Sequence, residues 1–346
     1  MPSPDLPEDP SLHLAPGTQL GPWRIVERQG YDAYGVLYRA VRAGTEPPEF
    51  GALKLARHPL DPRFAREAQA LSRLSDPSIP RLLHGEFWRT ADGAAHPFLV
   101  TEWVDGTPLY DWAQQHRPTS EHYWVRDKAP PAEPLLVLLA QVARALAATH
   151  AAGVLHRNVT GATILVRHSD GRAMLTGFGS ALLSGSTRVP YQSLERRFDP
   201  YLSPEAKLFV LRSNRTDTDG FQATQAEDLY SLGVTAFRVV AGEYPPWPEP
   251  VHIGNGEYGR MAREDPRAIL EYYGLREPRL LASIFVLLSI KPWQRGTAEE
   301  LIRTLESPWI VPPRSRAAPS KQAPHRPSPP SIPSGRFAPR FRRGGA

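Results

Sequence analysis

The sequence predicts an α+β protein with two lobes, in which a small antiparallel β-sheet with one helix precedes a larger helical part. Strand patterns dominate the first third of the chain, and helical patterns take over beyond Gly179. The chain has 346 residues, of which 41% are hydrophobic, so it is long enough to bury one large core or two smaller ones. Strands followed by helices along a chain are typical of α+β architecture.

The small lobe is predicted to span residues 21–102. Two strands surround a turn between Gly30 and Gly35, and apolar residues after the third strand recur at the spacing of a helix. The turn signal Asp105-Gly106 ends the last strand. In chain order the predicted elements are two strands within residues 22–42, a strand at 51–56, a helix at 63–74 and a strand at 97–104.

The large lobe is predicted to span residues 105–308 and to be mainly helical. One β-hairpin is strongly indicated in this lobe, because two apolar runs flank the turn dipeptide Asp170-Gly171. Beyond Gly179 we predict no further strands. The predicted helices lie at residues 135–150, 227–241, 266–273, 278–288 and 298–305, and the hairpin strands lie at 164–168 and 174–178.

Both ends of the chain are predicted to be disordered. Residues 1–20 are acidic and rich in proline, and residues 309–346 combine Pro, Ser and Arg with few apolar side chains, so neither can repay the entropy of ordering. From residue 310 onward there are eight basic and no acidic side chains, which leaves 33 basic against 36 acidic side chains elsewhere. The net charge of +5 therefore originates in the tail. A solvated tail is the favoured interpretation, and contact with acidic partners is the alternative.

Composition also bears on the compartment. No run of 18 or more apolar residues occurs, so we expect no membrane-spanning helix. The amino terminus lacks the basic and apolar regions of a secretory signal. Cysteine is absent, which excludes disulfides and thiolate metal sites. The expected location is the cytoplasm. Two insertions, residues 115–134 and 207–226, have no predicted role.

Eight motifs follow one another along residues 21–308. They are the loop Gly30-Tyr-Asp-Ala-Tyr-Gly35, Ala52-Leu-Lys54, Glu67, His156-Arg157-Asn158, Gly177-Phe178-Gly179, Ser203-Pro204-Glu205, Asp228 and Arg295. In their order and approximate spacing these motifs resemble the landmarks of the eukaryotic-type Ser/Thr protein kinase family. The resemblance covers nearly the whole chain between the two ends and implies the bilobal protein kinase-like fold.

The resemblance implies an ATP-binding cleft between the lobes. Lys54 matches the lysine that contacts phosphate, and Glu67 matches its ion-pair partner on the helix. The nucleotide-binding residues that the match assigns are Gly30, Gly35, Leu37, Ala52, Lys54, Glu67, the hinge residues Glu102 and Val104, and Leu165 below the adenine.

Three positions that carry the family's chemistry hold other residues here. Asn158 stands where the family has the aspartate that accepts the substrate's proton, and a neutral amide lacks the carboxylate for that task. Thr163 and Gly177 stand where the family has its two magnesium ligands, although a hard cation prefers anionic oxygens. We therefore expect no metal here. Asp32 replaces the middle glycine of the loop, where a carboxylate repels phosphate.

These replacements favour a pseudokinase: a binding module that scaffolds or regulates another protein, such as an active kinase. It would bind ATP weakly and without magnesium, or not at all. The alternative is a residual Ser/Thr protein kinase in which displaced acids, such as Asp170, Asp199 or Asp217, take over the lost roles. A third and least favoured hypothesis makes the domain a spacer that presents the basic tail to nucleic acid or lipid, so a nucleic-acid partner is not expected.

Overall fold

The computed structural model describes residues 13–32, 34–118, 129–183, 188–189, 200–212, 220–246, 249–254, 257–261 and 266–308. The chain divides into two units, residues 1–307 and 308–346, and the described residues belong almost entirely to the first. The predictions for residues 1–12 and for the tail 309–346 lie outside the described residues, as do the middle parts of both insertions. Residues 13–20 are described, and the predicted disorder does not extend over Gln19–Leu20, which form a strand with Leu20 buried.

The small lobe is built on a six-stranded antiparallel sheet with the strand order β1-β2-β3-β4-β6-β5. Its strands are β1 (Gln19–Leu20), β2 (Trp23–Tyr31), β3 (Gly35–Arg42), β4 (Phe50–Ala56), β5 (Leu82–Arg89) and β6 (Ala95–Glu102). The four predicted strands of this lobe are confirmed within two residues at each end. Strand β5 has no counterpart among the predictions, because most of its side chains are partly or fully exposed at the sheet edge and do not alternate.

One helix, α1 (Pro62–Leu71), packs on this sheet. Asp61 begins the helix, since its carboxylate accepts the N–H of Arg63 at 3.0 Å. The helix buries Glu67, whose exposed fraction is 8%, together with its apolar inner face. It ends before the predicted limit because the chain turns there, with the N–H of Leu74 bonded to the carbonyl of Leu71.

The large lobe has its core around two long helices, α3 and α5. Its helices are α2 (Leu109–Gln115), α3 (Ala132–Ala151), α4 (Pro204–Arg212), α5 (Gln225–Ala241), α6 (Pro266–Tyr272), α7 (Pro278–Leu287) and α8 (Ala298–Glu306). Helix α3 packs along α8, and α5 packs against α7. A capping box between Thr224 and Glu227 begins α5, and Gly242 ends it with φ of 81°.

The expectation that strands stop beyond Gly179 is wrong. The predicted hairpin is present as β9 (Ile164–Arg167) and β10 (Ala173–Leu175), but further strand pairs follow it. Wholly beyond Gly179 lie the pairs β12 (Arg188–Val189) with β13 (Phe221–Gln222) and β14 (Glu249–Gly254) with β15 (Glu257–Met261). Strand β11 (Leu182–Leu183), also beyond Gly179, pairs with the earlier β8 (Val154–Leu155). The short strand β7 (Gly106–Pro108), which precedes the hairpin, pairs with β9. Two-residue strands are too short to show alternation, and a proline within β14 argues against a strand pattern.

Helix α3 bears on the question of a membrane span. Of the helices in the described part of the chain, it alone is long and apolar enough to cross a bilayer by length and composition. A helix of a protein core passes the same test, and here most of α3 is buried in the core of the large lobe. The finding is therefore weak evidence for a span.

A close contact in the large lobe yields a stability prediction. The ring of Tyr110 on α2 lies so close to Gly161 that a Cβ atom at position 161 would overlap it. We expect Gly161→Ala to lower the free energy of unfolding by about 1–3 kcal/mol, because the ring must move from a packed position. Urea denaturation of the variant measures this loss.

The matched control is Gly30→Ala, since a Cβ atom there meets nothing within 4 Å. We expect that variant to unfold at nearly the wild-type urea concentration. In a double mutant with Tyr110→Ala, the added cost of Gly161→Ala should largely disappear, because the two residues are in contact. An unchanged unfolding midpoint for Gly161→Ala would contradict the packing described here.

Candidate functional site

One face of the small sheet carries most of the residues that the resemblance assigns to nucleotide. Residues directly opposite each other on neighbouring strands share a face. Lys54 is opposite Leu37, and Ala52 is opposite Thr101. These side chains share one face because Lys54 and Ala52 are two positions apart. The opposite face packs the core of the small lobe, which contains Leu20, Trp23, Ile25, Val36, Tyr38, Ala40, Leu53, Leu55, Phe98 and Val100.

Lys54 lies between two carboxylates. Its Nζ is 3.4 Å from Oε2 of Glu67 and 3.6 Å from Oδ2 of Asp32. Burial alone would lower the pKa of Lys54, but the charges of Glu67 and Asp32 outweigh burial and raise that pKa. A Cβ atom at Gly179 would lie 3.0 Å from this Nζ, so the large lobe approaches the pair through a residue that has no side chain. The ion pair implied by the resemblance is therefore present, and a second acid joins it.

Asp32 closes the turn between β2 and β3. Its Oδ1 accepts the N–H groups of Tyr34 and Gly35, each at 2.7 Å, and its own N–H donates to the carbonyl of Gly35 at 2.9 Å. Gly35 is required by close packing, because a Cβ atom there would meet the carbonyl oxygen of Leu55 at 2.9 Å. Gly30 is less constrained. The turn therefore places a carboxylate where the family has a bare glycine.

The hinge connects β6 to the large lobe. The backbone N–H of Glu102 donates to the carbonyl of Arg81 at 2.9 Å, and its carboxylate accepts the N–H of Arg81 at 3.1 Å. The N–H of Val104 has no hydrogen-bond partner among the residues that the structure describes, although Val104 is only 9% exposed. A hinge donor without a protein partner fits a ligand that offers an acceptor, as an adenine ring does. Leu165 lies on β9 of the large lobe, opposite Pro108 and Met174.

The loop at residues 156–163 is held by a buried carboxylate on α5. Asp228 is fully buried and accepts the backbone N–H of His156 at 2.9 Å and that of Arg157 at 2.6 Å. It also accepts a hydrogen bond from Nε2 of His150 at 2.9 Å. These bonds hold Arg157 in the left-handed region at φ of 60°, which a residue with a side chain seldom adopts.

His156 and Phe178 join this loop to the turn at residues 177–179. Their rings meet edge to face, with centroids 4.5 Å apart. Nε2 of His156 donates to the carbonyl of Thr176 at 2.9 Å, and Nδ1 accepts the N–H of Asn158 at 3.1 Å. One ring nitrogen donates and the other accepts, so the ring is neutral, in keeping with the burial that lowers the pKa of His156.

The amide of Asn158 faces Gly177. A Cβ atom built on Gly177 would lie 3.7 Å from Nδ2 of Asn158. An amide has no oxygen basic enough to take a proton from a hydroxyl group near neutral pH. The loop thus has the framework of a catalytic loop and presents an amide where a base is needed.

The residues present do not fit a magnesium ion. The hydroxyl of Thr163 lies within the loop, donating to the carbonyl of Asn158 at 2.7 Å and accepting the N–H of Thr160 at 3.1 Å. Gly177 has no side chain, and its φ of 80° leaves a Cβ atom only 2.8 Å from the Cγ2 of Thr163. Magnesium needs near-octahedral oxygen ligands, usually with one or two carboxylates. Within the described residues, no group of three His, Asp or Glu side chains is arranged to hold a metal.

The displaced acids have other roles or lie elsewhere. Asp170 lies in the β9–β10 turn, where its carboxylate accepts two hydrogen bonds from Arg167, at 2.9 and 2.6 Å. That interaction holds the pKa of Asp170 far below its ordinary value. Asp199 and Asp217 are outside the described residues. Of the three, only Asp170 can therefore be placed, and its carboxylate is paired with Arg167.

Glu227 yields a prediction of pH dependence. Burial raises the pKa of Glu227 to about 8, although the N–H of Thr224 and the charge of Arg157 act in the opposite direction. A raised carboxyl pKa means that the folded protein binds a proton that the unfolded chain releases, so stability falls as pH rises between the ordinary pKa of 4.5 and about 8. We expect Glu227→Gln to raise the free energy of unfolding at pH 8.5 by at least about 1 kcal/mol, with little change at pH 5.

Urea denaturation at the two pH values measures this difference. The control is Glu300→Gln, because Glu300 forms the same capping box with Thr297 at the start of α8 but is exposed. Its substitution measures what the loss of a capping carboxylate costs at a position where the side chain is not buried. Parallel pH profiles for wild type and Glu227→Gln would show that Glu227 does not titrate in this window.

Sequence patterns missed a cluster beside the loop at residues 156–163. Arg238 of α5 donates to the hydroxyl of Tyr244 at 2.7 Å and to that of Tyr201 at 3.3 Å. Its guanidinium lies 4.3 Å from the ring centroid of Tyr110, which in turn packs on Gly161. The cluster joins four separate stretches of chain, so only the fold brings it together. The pairing of Asp32 with Lys54 was missed for the same reason.

Comparisons with known proteins agree with this geometry. Residues 25–310 match the family model described as "Protein kinase domain". The chain is 30% identical over 250 residues to the serine/threonine-protein kinase PkaA of Streptomyces coelicolor, which covers 69% of this chain and 39% of the relative. It is 30% identical over 184 residues to the serine/threonine-protein kinase PknA of Mycobacterium tuberculosis, covering 53% of this chain and 37% of the relative.

A solved structure is also similar. The crystal structure of the Mycobacterium tuberculosis PknI kinase domain superposes with a TM-score of 0.57 at 23% identity, covering 84% of this chain and 98% of that one. This likeness shows the fold. The chain spans less than half the length of the two curated relatives.

Proposed function

Because this chain belongs to the protein kinase family, we propose that it is a pseudokinase: a regulatory or scaffolding module that binds another protein and does not transfer phosphate. An active kinase is the partner class that the proposal favours. The basic tail as a contact for acidic partners, the cytoplasmic location and the domain limits at residues 21 and 308 remain predictions.

The observation that carries the proposal is the combined state of Thr163 and Gly177. The Thr163 hydroxyl is hydrogen-bonded within its own loop, and Gly177, which lies next to Thr163, has no side chain. Phosphoryl transfer in kinases depends on metal ions that bridge phosphate oxygens and on a carboxylate that orients the attacking hydroxyl. Asn158 removes that carboxylate, so the base and both metal ligands are missing together.

The framework around these positions supports a binding role. The Lys54–Glu67 pair is present in the small lobe, and the His156–Phe178 contact and the Asp228 hydrogen bonds are present in the large lobe. A fold that keeps its supports after losing its reactive groups can still present surfaces to a partner. For nucleotide, the N–H of Val104, which no described residue accepts, supports weak, metal-independent binding through the adenine.

Two measurements on the full chain test the proposal. The first is a thermal-shift titration with ATP, in EDTA and in magnesium, and the second is transfer of labelled γ-phosphate to a generic protein substrate. We expect no stabilisation that depends on magnesium and no transfer above that of Lys54→Met. Magnesium-dependent stabilisation, together with transfer that Lys54→Met abolishes, would instead establish the residual Ser/Thr kinase.

A further inference from the structure

The turn between β2 and β3 contains a small anion site that the protein fills itself. The N–H groups of the consecutive residues Tyr34 and Gly35 both donate to Oδ1 of Asp32, each at 2.7 Å. Backbone N–H groups that converge in a turn are a common means of binding phosphate oxygens. Here the carboxylate of Asp32 accepts both hydrogen bonds, so neither N–H group is left for a phosphate oxygen.

Contacts with α1 and β4 fix the position of this turn. The guanidinium of Arg63 lies 3.8 Å from the ring centroid of Tyr34, which connects the turn to the start of α1. On the other side, Gly35 is in close contact with the carbonyl of Leu55 and with the side chain of Lys54. These contacts keep Asp32 above Lys54.

The second oxygen of Asp32 forms an ion pair with the ammonium group of Lys54. Its Oδ2 is 3.6 Å from Nζ of Lys54, and Glu67 is 3.4 Å from the same Nζ on its other side. The ammonium group of Lys54 is thus shared by two carboxylates. A phosphate group entering without a metal ion would have to displace Asp32 from Lys54 and would meet its charge at short range.

The adenine part of the cleft has the opposite character. The N–H of Val104 is without a partner among the described residues, and Leu37 and Ala52 supply apolar surface on the same face of the sheet as Lys54. An uncharged heterocycle can therefore bind there without disturbing the Asp32–Lys54 pair.

We infer that the cleft selects an adenine nucleoside over an adenine nucleotide, with Asp32 serving as a built-in substitute for the phosphate. The inference rests on the proposed function in that the cleft serves binding and not transfer. It adds a ligand class and names the residue that determines the preference.

Isothermal titration calorimetry of the full chain in EDTA tests the inference, with adenosine, AMP and ATP as the ligands. In the wild type we expect affinity to fall from adenosine through AMP to ATP. Asp32→Asn keeps an oxygen for the two N–H groups and removes the charge. We expect this variant to bind ATP about three- to tenfold more tightly than wild type, with a change of less than about twofold for adenosine.

The control is Asp92→Asn, which removes one charge from an exposed residue in the β5–β6 turn of the same sheet. It should leave both affinities unchanged. The inference is wrong if ATP binds the wild type as tightly as adenosine, if Asp32→Asn changes both affinities equally, or if neither ligand binds either protein. None of these outcomes bears on the proposed function, which fails only if magnesium-dependent transfer is found.

Discussion

We expect Arg295→Met to lower the free energy of unfolding by about 3–5 kcal/mol, because it removes every hydrogen bond that the buried guanidinium donates and leaves the partly buried carboxylate of Glu205 without its partner. The side chain of Arg295 has no exposed surface, and its Nη1 and Nη2 each donate to one oxygen of Glu205 at 2.7 Å. It also donates to the carbonyls of Ser289 and Ala226, both at 2.9 Å. Urea denaturation measures the loss.

The control for Arg295 is Arg303→Met on α8, an exposed arginine 4.0 Å from Glu300. A surface pair of this kind contributes little, so we expect a change below about 0.5 kcal/mol. The double variant Arg295→Met with Glu205→Met should lose less than the sum of the single losses, because no unpaired charge remains. Equal losses for Arg295→Met and Arg303→Met would mean that the buried pair does not stabilise the lobe.

A loss of similar size, about 3–5 kcal/mol, is expected for Asp228→Ala. The substitution removes the acceptor for two backbone N–H groups and for His150, and it releases Arg157 from its left-handed conformation. Burial alone would raise the pKa of Asp228, but the hydrogen bond and charge of His150 outweigh burial and lower it. The stabilisation is therefore present above the ordinary carboxyl pKa and is lost as pH falls through the lower folded value. Thermal unfolding at pH 7 measures the difference, roughly 10 °C for a domain of this size.

Asp111→Ala provides the comparison, since Asp111 is an exposed acid in the first turn of α2. It interacts with the helix N-terminus, so its removal should cost no more than about 1 kcal/mol. Asp228→Asn should be intermediate, because its amide oxygen can accept one of the N–H groups while its NH₂ group faces another donor. If Asp228→Ala and Asp111→Ala unfold at the same temperature, the carboxylate of Asp228 does not hold the loop.

Much of the fold could be predicted because its signals are local. The strands β2, β3 and β4 alternate or are apolar over seven to nine residues, and α3 and α5 are long enough for a helical pattern to be unmistakable. The strand pairs that involve residues beyond Gly179 could not be predicted. Pairs such as β8 with β11 contain two residues each, and their pairing depends on where the rest of the large lobe places them.

The sequence by itself determined which chemical groups this protein has at each landmark. An amide at Asn158, a hydroxyl at Thr163 and no side chain at Gly177 follow from residue identity alone, as does the loss of the two carboxylates that the family has at positions 158 and 177. The family followed from the order of the motifs. These are properties of single residues or short stretches, so no knowledge of packing was needed.

Only the tertiary structure decided what those groups contact. It pairs Asp32 with Lys54, directs the Thr163 hydroxyl into its own loop and places Tyr110 over Gly161. It also leaves the N–H of Val104 without a partner within the described part of the chain. Such pairings join residues far apart in the chain, as with Glu205 and Arg295, which are 90 positions apart. A side chain's charge and hydrogen-bonding capacity are fixed covalently, whereas its partner is selected when the whole chain buries its apolar surface and satisfies its polar groups.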